Sequence, residues 1–249
     1  MPRYALIAGH GRFPLLALES ARELGHDVVL IAIKEEAAPE VEALAARCYW
    51  ISLGQFGRLI EILKQEGVAE VMMAGQVKHA RLFSGILPDW RLLKLLATLP
   101  ERNTDALIGA VASELEKEGI QLVDSTALLK PLLASEGPMT ARQPGQDELA
   151  AIRYGRRIAS ALAGFDLGLR RAASLANGHP LCLVKSSRRR AHLLFDVPVA
   201  GLGTIPVMKE TNTTVLAVDA GRTLLLDRDQ MLAAADAAGL AILGLPPED

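Results

Sequence analysis

A glycine-rich turn near the start of the chain has the residue types that hold a phosphate. The stretch LIAGHGRFPL places Gly9, His10 and Gly11 between an apolar run and a helix start. The free N–H groups and the dipole of a helix start attract anions. Pro14 stands where a dinucleotide fingerprint has its third glycine. We expect a phosphate or nucleotide-like group here. A turn without ligand, and a nicotinamide site with Glu35 binding the ribose, stay open as alternatives.

A second candidate segment is MMAGQVKHA, which ends an apolar run at Gly75 and then presents Gln76, Lys78 and His79. Ligands of open α/β sheets bind beyond the carboxyl ends of the strands. Gln76 and Lys78 are therefore candidate contacts to a polar or phosphorylated ligand, with a solvated loop as the alternative. His79 has no histidine or cysteine at metal-ligand spacing, so no metal role is assigned to it.

Four carboxylates of the second half are candidates for metal binding. Asp196 lies in FDVP, Asp219 in VDAGRT, and Asp227 and Asp229 in LLDRD. Carboxylates are the ligands that Mg²⁺ prefers. Each of these residues is equally suited to closing a turn or capping a helix, and Asp227 is expected to cap a helix over 228–238.

The elements that position these residues alternate between strands and helices in the first half. The predicted strands are 4–8, 28–33, 48–53, 70–74 and 120–123. Of the predicted helices, one ends at Leu24, one starts at Pro39, and three cover 56–66, 90–99 and 104–118. In RNTDALIGAV, Thr104 is the expected N-cap and Asp105 favours the first turn by its charge. The alternation predicts an α/β fold with a Rossmann-like parallel sheet.

The chain is expected to divide into two domains. A Rossmann-like domain covers 1–134, a linker rich in proline and glycine covers 135–146, and a C-terminal mixed α/β domain covers 147–249. The second domain is expected to begin with a helix over 147–162 and to be rich in short strands. The runs LCLVKS, LLFDVPV, TTVLAVDA, RTLLLD and LAILG are the predicted strands.

Composition narrows the class of protein. The 249 residues carry a net charge of −2, so no global field attracts nucleic acid, and the basic cluster is confined to Lys185 and residues 188–190. Cys48 and Cys182 lie in apolar runs, which predicts buried, reduced thiols and a reducing compartment. The first apolar run is too short for a signal peptide, so we expect a cytoplasmic protein.

Several stretches, in this order, resemble one family, the LpxI-type UDP-2,3-diacylglucosamine pyrophosphatases. They are LIAGHGRFPLLALESARELGHDVVLIAI, VMMAGQVKHARLF, TDALIGAVASELEKEGIQLVDST, GPMTARQPGQDELAAIRYGRRIASALAGFDLG, FDVPVAGLGTI and VLAVDAGRTLLLD. The resemblance covers nearly the whole chain. It implies metal-dependent hydrolysis of UDP-2,3-diacylglucosamine to UMP and 2,3-diacylglucosamine 1-phosphate (lipid X), a cytoplasmic step of lipid A synthesis.

The resemblance also implies roles for individual residues. Asp196, in the strand-end motif FDVP, is the implied catalytic residue, as ligand of Mg²⁺ or Mn²⁺ or as the group that readies the water. The implied substrate contacts are Gly9, His10, Gly11, Gly75, Gln76, Lys78 and Asp105. A homodimer and a peripheral contact with the inner face of the inner membrane are implied as well.

One departure from the family pattern lies after Gly168. Family members carry a strand pair and an acidic EGTD-like motif between a DIGQ-like turn and the segment LRRA. Here FDLG runs directly into LRRAASL, and Leu169 replaces the usual glutamine. Since the loss of these two carboxylates could remove a metal ligand or a substrate contact, an alternative function is open. In it the chain binds lipid X or the UDP-sugar without cleaving it.

Overall fold

The computed structural model describes residues 3–77, 87–99, 101, 103–159, 166–186 and 197–246. The chain divides into two compact units, Met1–Leu129 and Lys130–Asp249. Each unit is built on a sheet that is mainly parallel and has helices between its strands. The α/β class is confirmed.

The first unit contains a five-stranded parallel sheet. Its strands are β1 (Tyr4–Ala8), β2 (Val28–Ile33), β3 (Arg47–Ile51), β4 (Glu70–Ala74) and β5 (Gln121–Leu122). The order β3-β2-β1-β4-β5 places the reversal of strand order between β1 and β4. Every residue of β2, the run VVLIAI, is buried, because helices cover both faces of such a sheet. The Rossmann-like prediction for this unit is therefore confirmed.

The helices of the first unit follow the predicted pattern closely. They are α1 (Phe13–Glu23), a 3₁₀ helix (Pro39–Leu44), α2 (Phe56–Gln65), α3 (Trp90–Thr98) and α4 (Thr104–Lys117). The predicted N-cap of α4 is wrong by one residue. Asn103, not Thr104, caps the helix, since the Asn103 side chain accepts a hydrogen bond from the Ala106 N–H at 2.8 Å.

Two carboxylates connect the helices of this unit. Asp89 accepts hydrogen bonds from the Gly57 N–H at 2.6 Å and the Leu92 N–H at 2.9 Å, so one side chain caps both α2 and α3. Glu118, just after α4, accepts from Lys64 on α2 and from Arg91 on α3. These two hydrogen-bonded cations lower the pKa of Glu118 from 4.5 to about 2.

The second unit contains a four-stranded sheet and a two-stranded one. Its strands are β6 (Gly137–Pro138), β7 (Leu181–Lys185), β8 (Val199–Gly201), β9 (Thr213–Asp219), β10 (Leu224–Leu226) and β11 (Ala241–Leu245). The larger sheet has the order β6-β11-β9-β7, with only β6 antiparallel, and β8 pairs with β10 in parallel. Its helices are α5 (Gln146–Ala159), α6 (Asp166–Leu175), α7 (Thr204–Glu210) and α8 (Arg228–Ala237).

Three sequence predictions for the second unit need correction. The segment predicted as a linker, 135–146, supplies β6, which pairs with Leu243 and Gly244 of β11, so the segment belongs to the second unit. The helices α6 and α7 and the strand β6 were not predicted, so the unit holds more elements than expected. Asp227 does occupy the N-cap position of α8, but with φ 53° its side chain makes no capping hydrogen bond.

The two cysteines are free thiols that are half buried rather than buried. Cys48 lies on β3 and Cys182 on β7, and both strands are sheet edges, which leaves part of each side chain accessible. Burial raises the pKa of the Cys48 thiol to about 11. Within the described residues, every helix is too short or too polar to cross a membrane.

We expect Glu118→Gln to lower the stability of the chain at pH 6, because the carboxylate holds both Lys64 and Arg91. Since the folded pKa is depressed, the contribution is complete above pH 4.5 and is lost as pH falls toward 2. Urea unfolding of both proteins across this range measures the difference. Glu114→Gln is the matched control, because the ion pair of Glu114 is with Lys117 of its own helix and connects no second helix. A difference that does not shrink on acidification would contradict the account.

Candidate functional site

The glycine turn after β1 and the loop after β4 lie side by side at the reversal of strand order. The Gly9 N–H donates to the Ala74 carbonyl at 2.8 Å. His10 and Gln76 then exchange two backbone hydrogen bonds, of 2.8 and 2.9 Å, and form an isolated antiparallel bridge. Since open α/β sheets bind ligands at this position, the bridge holds two candidate binding segments in one fixed arrangement.

Gly9 and Gly75 are required by the closeness of these two backbones. A Cβ on Gly9 would lie 2.6 Å from the Gln76 carbonyl oxygen. A Cβ on Gly75 would lie 2.7 Å from the His10 carbonyl oxygen, and Gly75 also has φ +91°. Both glycines therefore have a structural reason to be glycine, independent of any phosphate.

Gly11 differs from the other two, because a Cβ there would meet nothing within 4 Å. Its φ of +104° turns the chain into α1, where Arg12 occupies the N-cap position without a side-chain capping bond. The side chains of His10 and Gln76 are exposed beside this helix start. The arrangement offers backbone N–H donors, an imidazole and an amide to an anionic group.

Two other predicted contacts have side chains that fall outside the described part of the chain. Lys78, like His79, lies outside the described residues. Asp105 lies in the first turn of α4, and only its backbone is described. Of the predicted substrate contacts, the structure therefore brings together Gly9, His10, Gly11, Gly75 and Gln76.

Glu35, the carboxylate considered for binding a nicotinamide ribose, has a structural role in this chain. The Glu35 carboxylate accepts a hydrogen bond from the Leu53 N–H at 3.2 Å and so closes the turn that follows β3. Glu36 beside it is buried. This use of Glu35, together with Pro14 in place of the third glycine, weighs against the nicotinamide alternative.

A second polar group lies at the carboxyl ends of β7 and β9 in the second unit. Asp219 is only 2% exposed, and its two oxygens accept hydrogen bonds at 2.8 Å from Arg156 and from Ser186. Arg156 also donates to the Pro246 carbonyl at 2.6 Å. Lys185, at the end of β7, donates to the Val199 carbonyl. We call Arg156, Lys185, Ser186 and Asp219 the β7/β9 cluster.

The chemistry of the β7/β9 cluster differs from that of a metal site. Both oxygens of Asp219 are engaged by donors, one of them cationic, so the carboxylate fixes Arg156 and Ser186 in place. The cluster therefore places a guanidinium, an ammonium and a hydroxyl group at the carboxyl ends of β7 and β9. These are groups that recognise phosphate. Within the part of the chain that is described, no group of three His, Cys, Asp or Glu side chains is placed to hold a metal ion.

Sequence reasoning missed Arg156 and grouped Lys185 only with a basic run. One available signal was that Ser186 follows one predicted strand and Asp219 ends another; the structure pairs these strands in parallel, with Lys185 opposite Val218. Arg156 gave no such signal, because it reaches the cluster from α5 across 63 residues. Asp196, the implied catalytic residue, lies outside the described residues, three positions before β8 begins.

Comparison with known proteins gives matches over most of the chain. The model of the LpxI N-terminal domain matches residues 3–132, and that of the LpxI C-terminal domain matches residues 164–243. The UDP-2,3-diacylglucosamine pyrophosphatase LpxI of Caulobacter vibrioides is 26% identical, with 100% of this chain and 99% of the relative covered. That alignment spans 281 positions, whereas this chain has 249 residues, so the alignment includes gaps in this chain.

Solved structures give weaker likenesses. The biotin carboxylase domain of Hydrogenobacter thermophilus 2-oxoglutarate carboxylase has a TM-score of 0.31 and 16% identity, covering 64% of this chain and 33% of that chain. CobK precorrin-6A reductase has a TM-score of 0.32 and 14% identity, covering 100% of this chain and 89% of that chain. These likenesses carry no argument about fold or function.

We expect Gly75→Ala to lower the free energy of unfolding by about 3 kcal/mol or more, because the new methyl group meets the His10 carbonyl as well as a positive φ. Gly25→Ala is the matched control, since Gly25 has φ +72° with nothing within 4 Å, and about 1 kcal/mol is expected there. Urea unfolding measures both values. Equal losses would contradict a close contact between the two loops.

We expect Asp219→Leu to destabilise the chain by about 3 kcal/mol, because it leaves Arg156 as a buried charge without its carboxylate. The double variant Asp219→Leu/Arg156→Met removes both charges and is expected to regain most of the loss. Urea unfolding compares the two. If the double variant is no more stable than the single one, the ion pair is not what makes Asp219 necessary.

Proposed function

Because the chain belongs to the LpxI family along both of its domains, we propose that it hydrolyses the pyrophosphate bond of UDP-2,3-diacylglucosamine. The products are UMP and 2,3-diacylglucosamine 1-phosphate (lipid X), and the reaction is a step of lipid A synthesis. The observation that carries the proposal is the match to both LpxI domain models. The curated relative from Caulobacter vibrioides, covered over nearly its full length, has a name that states this activity.

In the proposed site of the first unit, the bridged turn and loop bind a phosphate of the substrate. The α1 N-terminus and the exposed side chains of His10 and Gln76 supply the donors. The backbone bridge between His10 and Gln76 fixes their separation before substrate binds. Such fixed donors cost no reorganisation when the phosphate arrives, and positioning of this kind accounts for much of the rate enhancement in phosphoryl transfer. Lys78 and Asp105 complete the proposed contacts on this side.

In the second unit, Asp196 is the proposed catalytic residue. Its carboxylate either binds Mg²⁺ or Mn²⁺ or orients the attacking water. The metal, when bound, neutralises charge on the phosphoryl oxygens. Since the described residues assemble no set of three ligands, no step is assigned to the metal. Lys185 and Arg156 contribute positive charge at the sheet edge of the β7/β9 cluster, where developing negative charge on phosphate is stabilised.

A second candidate function is binding without hydrolysis. It is favoured by the absence of the acidic segment after Gly168 and by the gaps in this chain along the alignment with its relative. In that case the chain would hold lipid X or the UDP-sugar through the bridged loops but would release no UMP.

The family resemblance supports three further properties, which we include in the proposal. The protein is proposed to act in the cytoplasm, to form a homodimer, and to touch the inner membrane from its cytoplasmic side. The proposed partner is the glycolipid nucleotide substrate rather than a nucleic acid.

The experiment that tests the proposal compares UMP release by the wild-type chain and by Asp196→Asn, each with Mg²⁺, with Mn²⁺ and with chelator. We expect metal-dependent UMP release from the wild type. In the variant the rate of UMP release is expected to fall by about 10²-fold or more. Asp147→Asn is the matched control, because it removes an exposed carboxylate from the first turn of α5 that is not a candidate metal ligand.

Two outcomes would contradict the proposal. Normal turnover by Asp196→Asn, with chelator or without it, would contradict a catalytic role for Asp196 and leave it only a structural role in a turn. Binding of lipid X by a folded wild-type chain that releases no UMP at any metal concentration would favour the second candidate function.

A further inference from the structure

A cavity lies between the end of α1 and the segment that leads from the 3₁₀ helix into β3. Its volume is about 430 Å³, which is in the range of small-molecule sites. Its apolar wall includes Leu18 and Ala21 of α1 and Val28, the first residue of β2, and all three are buried. Residues 43–46 line the other side. We call this space the α1/β2 cavity.

The α1/β2 cavity lies at the end of the sheet opposite the candidate phosphate site. All strands of a parallel sheet begin at one edge, and the cavity is lined by Val28 at the start of β2 and by Ala46 directly before β3. The glycine turn and the loop bridged to it follow the last residues of β1 and β4, at the other edge. The cavity is therefore a separate place from the proposed phosphate site.

The C-terminal end of α1 is completed by backbone hydrogen bonds. Gly25, with φ +72°, turns the chain away from the helix, and its N–H donates to the Arg22 carbonyl at 3.1 Å. The His26 N–H donates to the Ala21 carbonyl at 2.9 Å. These carbonyl groups therefore need no side-chain donor. Among the residues that the structure describes, the Arg22 guanidinium makes no ion pair.

Three polar side chains line the α1/β2 cavity beside its apolar wall, namely Arg22, His26 and Asp27. The Asp27 carboxylate lies 3.4 Å from the Arg3 guanidinium, so its charge is balanced. The His26 ring packs edge to face with Tyr4, with the ring centroids 5.3 Å apart, which restricts the positions of the imidazole. A guanidinium and an imidazole thus remain for a ligand. A guanidinium pairs best with a carboxylate, through two parallel hydrogen bonds.

We propose that the α1/β2 cavity binds a small organic carboxylate that has an apolar body. The carboxylate pairs with Arg22, and the apolar body lies against Leu18, Ala21 and Val28. An uncharged apolar ligand would leave the guanidinium without a partner, and a small inorganic anion would leave the apolar wall in contact with water. Because binding here involves neither the substrate nor hydrolysis, the inference is independent of the proposed function.

The first experiment follows binding to the full chain by proton–nitrogen correlation NMR. The probe is hexanoate. It is compared with hexanol, which lacks the charge, and with acetate, which lacks the apolar body. We expect hexanoate to shift the backbone amide signals of His26 and Ala45 with a Kd of about 1 mM. Hexanol and acetate are each expected to bind about tenfold more weakly, because each makes only one of the two kinds of contact.

Two variants separate the charged and apolar contributions. Arg22→Gln is expected to weaken the binding of hexanoate about tenfold and to leave that of hexanol unchanged. Ala45→Phe is expected to abolish the binding of both, because the ring fills the cavity. Ala45 has extended backbone, with φ −113° and ψ 136°, which phenylalanine adopts without strain. Arg58→Gln is the matched control, since Arg58 is exposed on α2 and pairs with Glu61 of its own helix.

Three results would overturn the inference. In the first, millimolar hexanoate leaves the amide signals of both cavity residues unshifted. In the second, Arg22→Gln binds hexanoate as tightly as the Arg58→Gln control. In the third, hexanoate shifts His10 and Gln76 instead, which places the carboxylate at the glycine turn. UMP release by the wild type is measured separately. Its absence, with hexanoate binding retained, would reject the proposed hydrolysis and leave this inference intact.

Discussion

The close approach of two backbones at the reversal of strand order is the constraint on which the candidate site of the first unit depends. Gly9 and Gly75 allow the turn after β1 and the loop after β4 to exchange hydrogen bonds through His10 and Gln76. Any larger residue at either glycine meets a carbonyl oxygen. The same contact places the exposed His10 and Gln76 side chains beside the start of α1, where an anion is favoured. Packing and proposed binding thus have one physical origin in this unit.

The second unit uses a buried ion pair for a comparable purpose. Asp219 holds Arg156 and Ser186 at the carboxyl ends of two parallel strands, so positive charge and a hydroxyl are kept at one edge. A buried pair of this kind contributes little net stability but defines one arrangement of its members. The proposed hydrolysis needs such fixed charge, because phosphoryl transfer depends on positioning and on charge stabilisation more than on covalent chemistry by the protein.

The sequence predicted the first unit well because its signals are local. The apolar run VVLIAI predicted β2, Gly25 predicted the end of α1, and Ala74 predicted the end of β4. Each predicted boundary lies within a residue or two of the observed one. The second unit was harder, since Gly137–Pro138 became a strand only through pairing with β11, which lies about a hundred residues later. Arg156 likewise joined its cluster through a contact across 63 residues. Glycine turns predicted where the first candidate site lies, but not that Gly9 and Gly75 are needed for backbone contact.

The most direct test of the central claim is the product balance of the wild-type reaction with UDP-2,3-diacylglucosamine and Mg²⁺ or Mn²⁺, measured by mass spectrometry. Pyrophosphate hydrolysis predicts UMP and 2,3-diacylglucosamine 1-phosphate in equal amounts, with neither formed in the presence of chelator. Recovery of intact substrate from a folded chain that binds it would contradict hydrolysis and leave a binding protein. Formation of UDP and a diacylated sugar without phosphate would show that a different bond is cut.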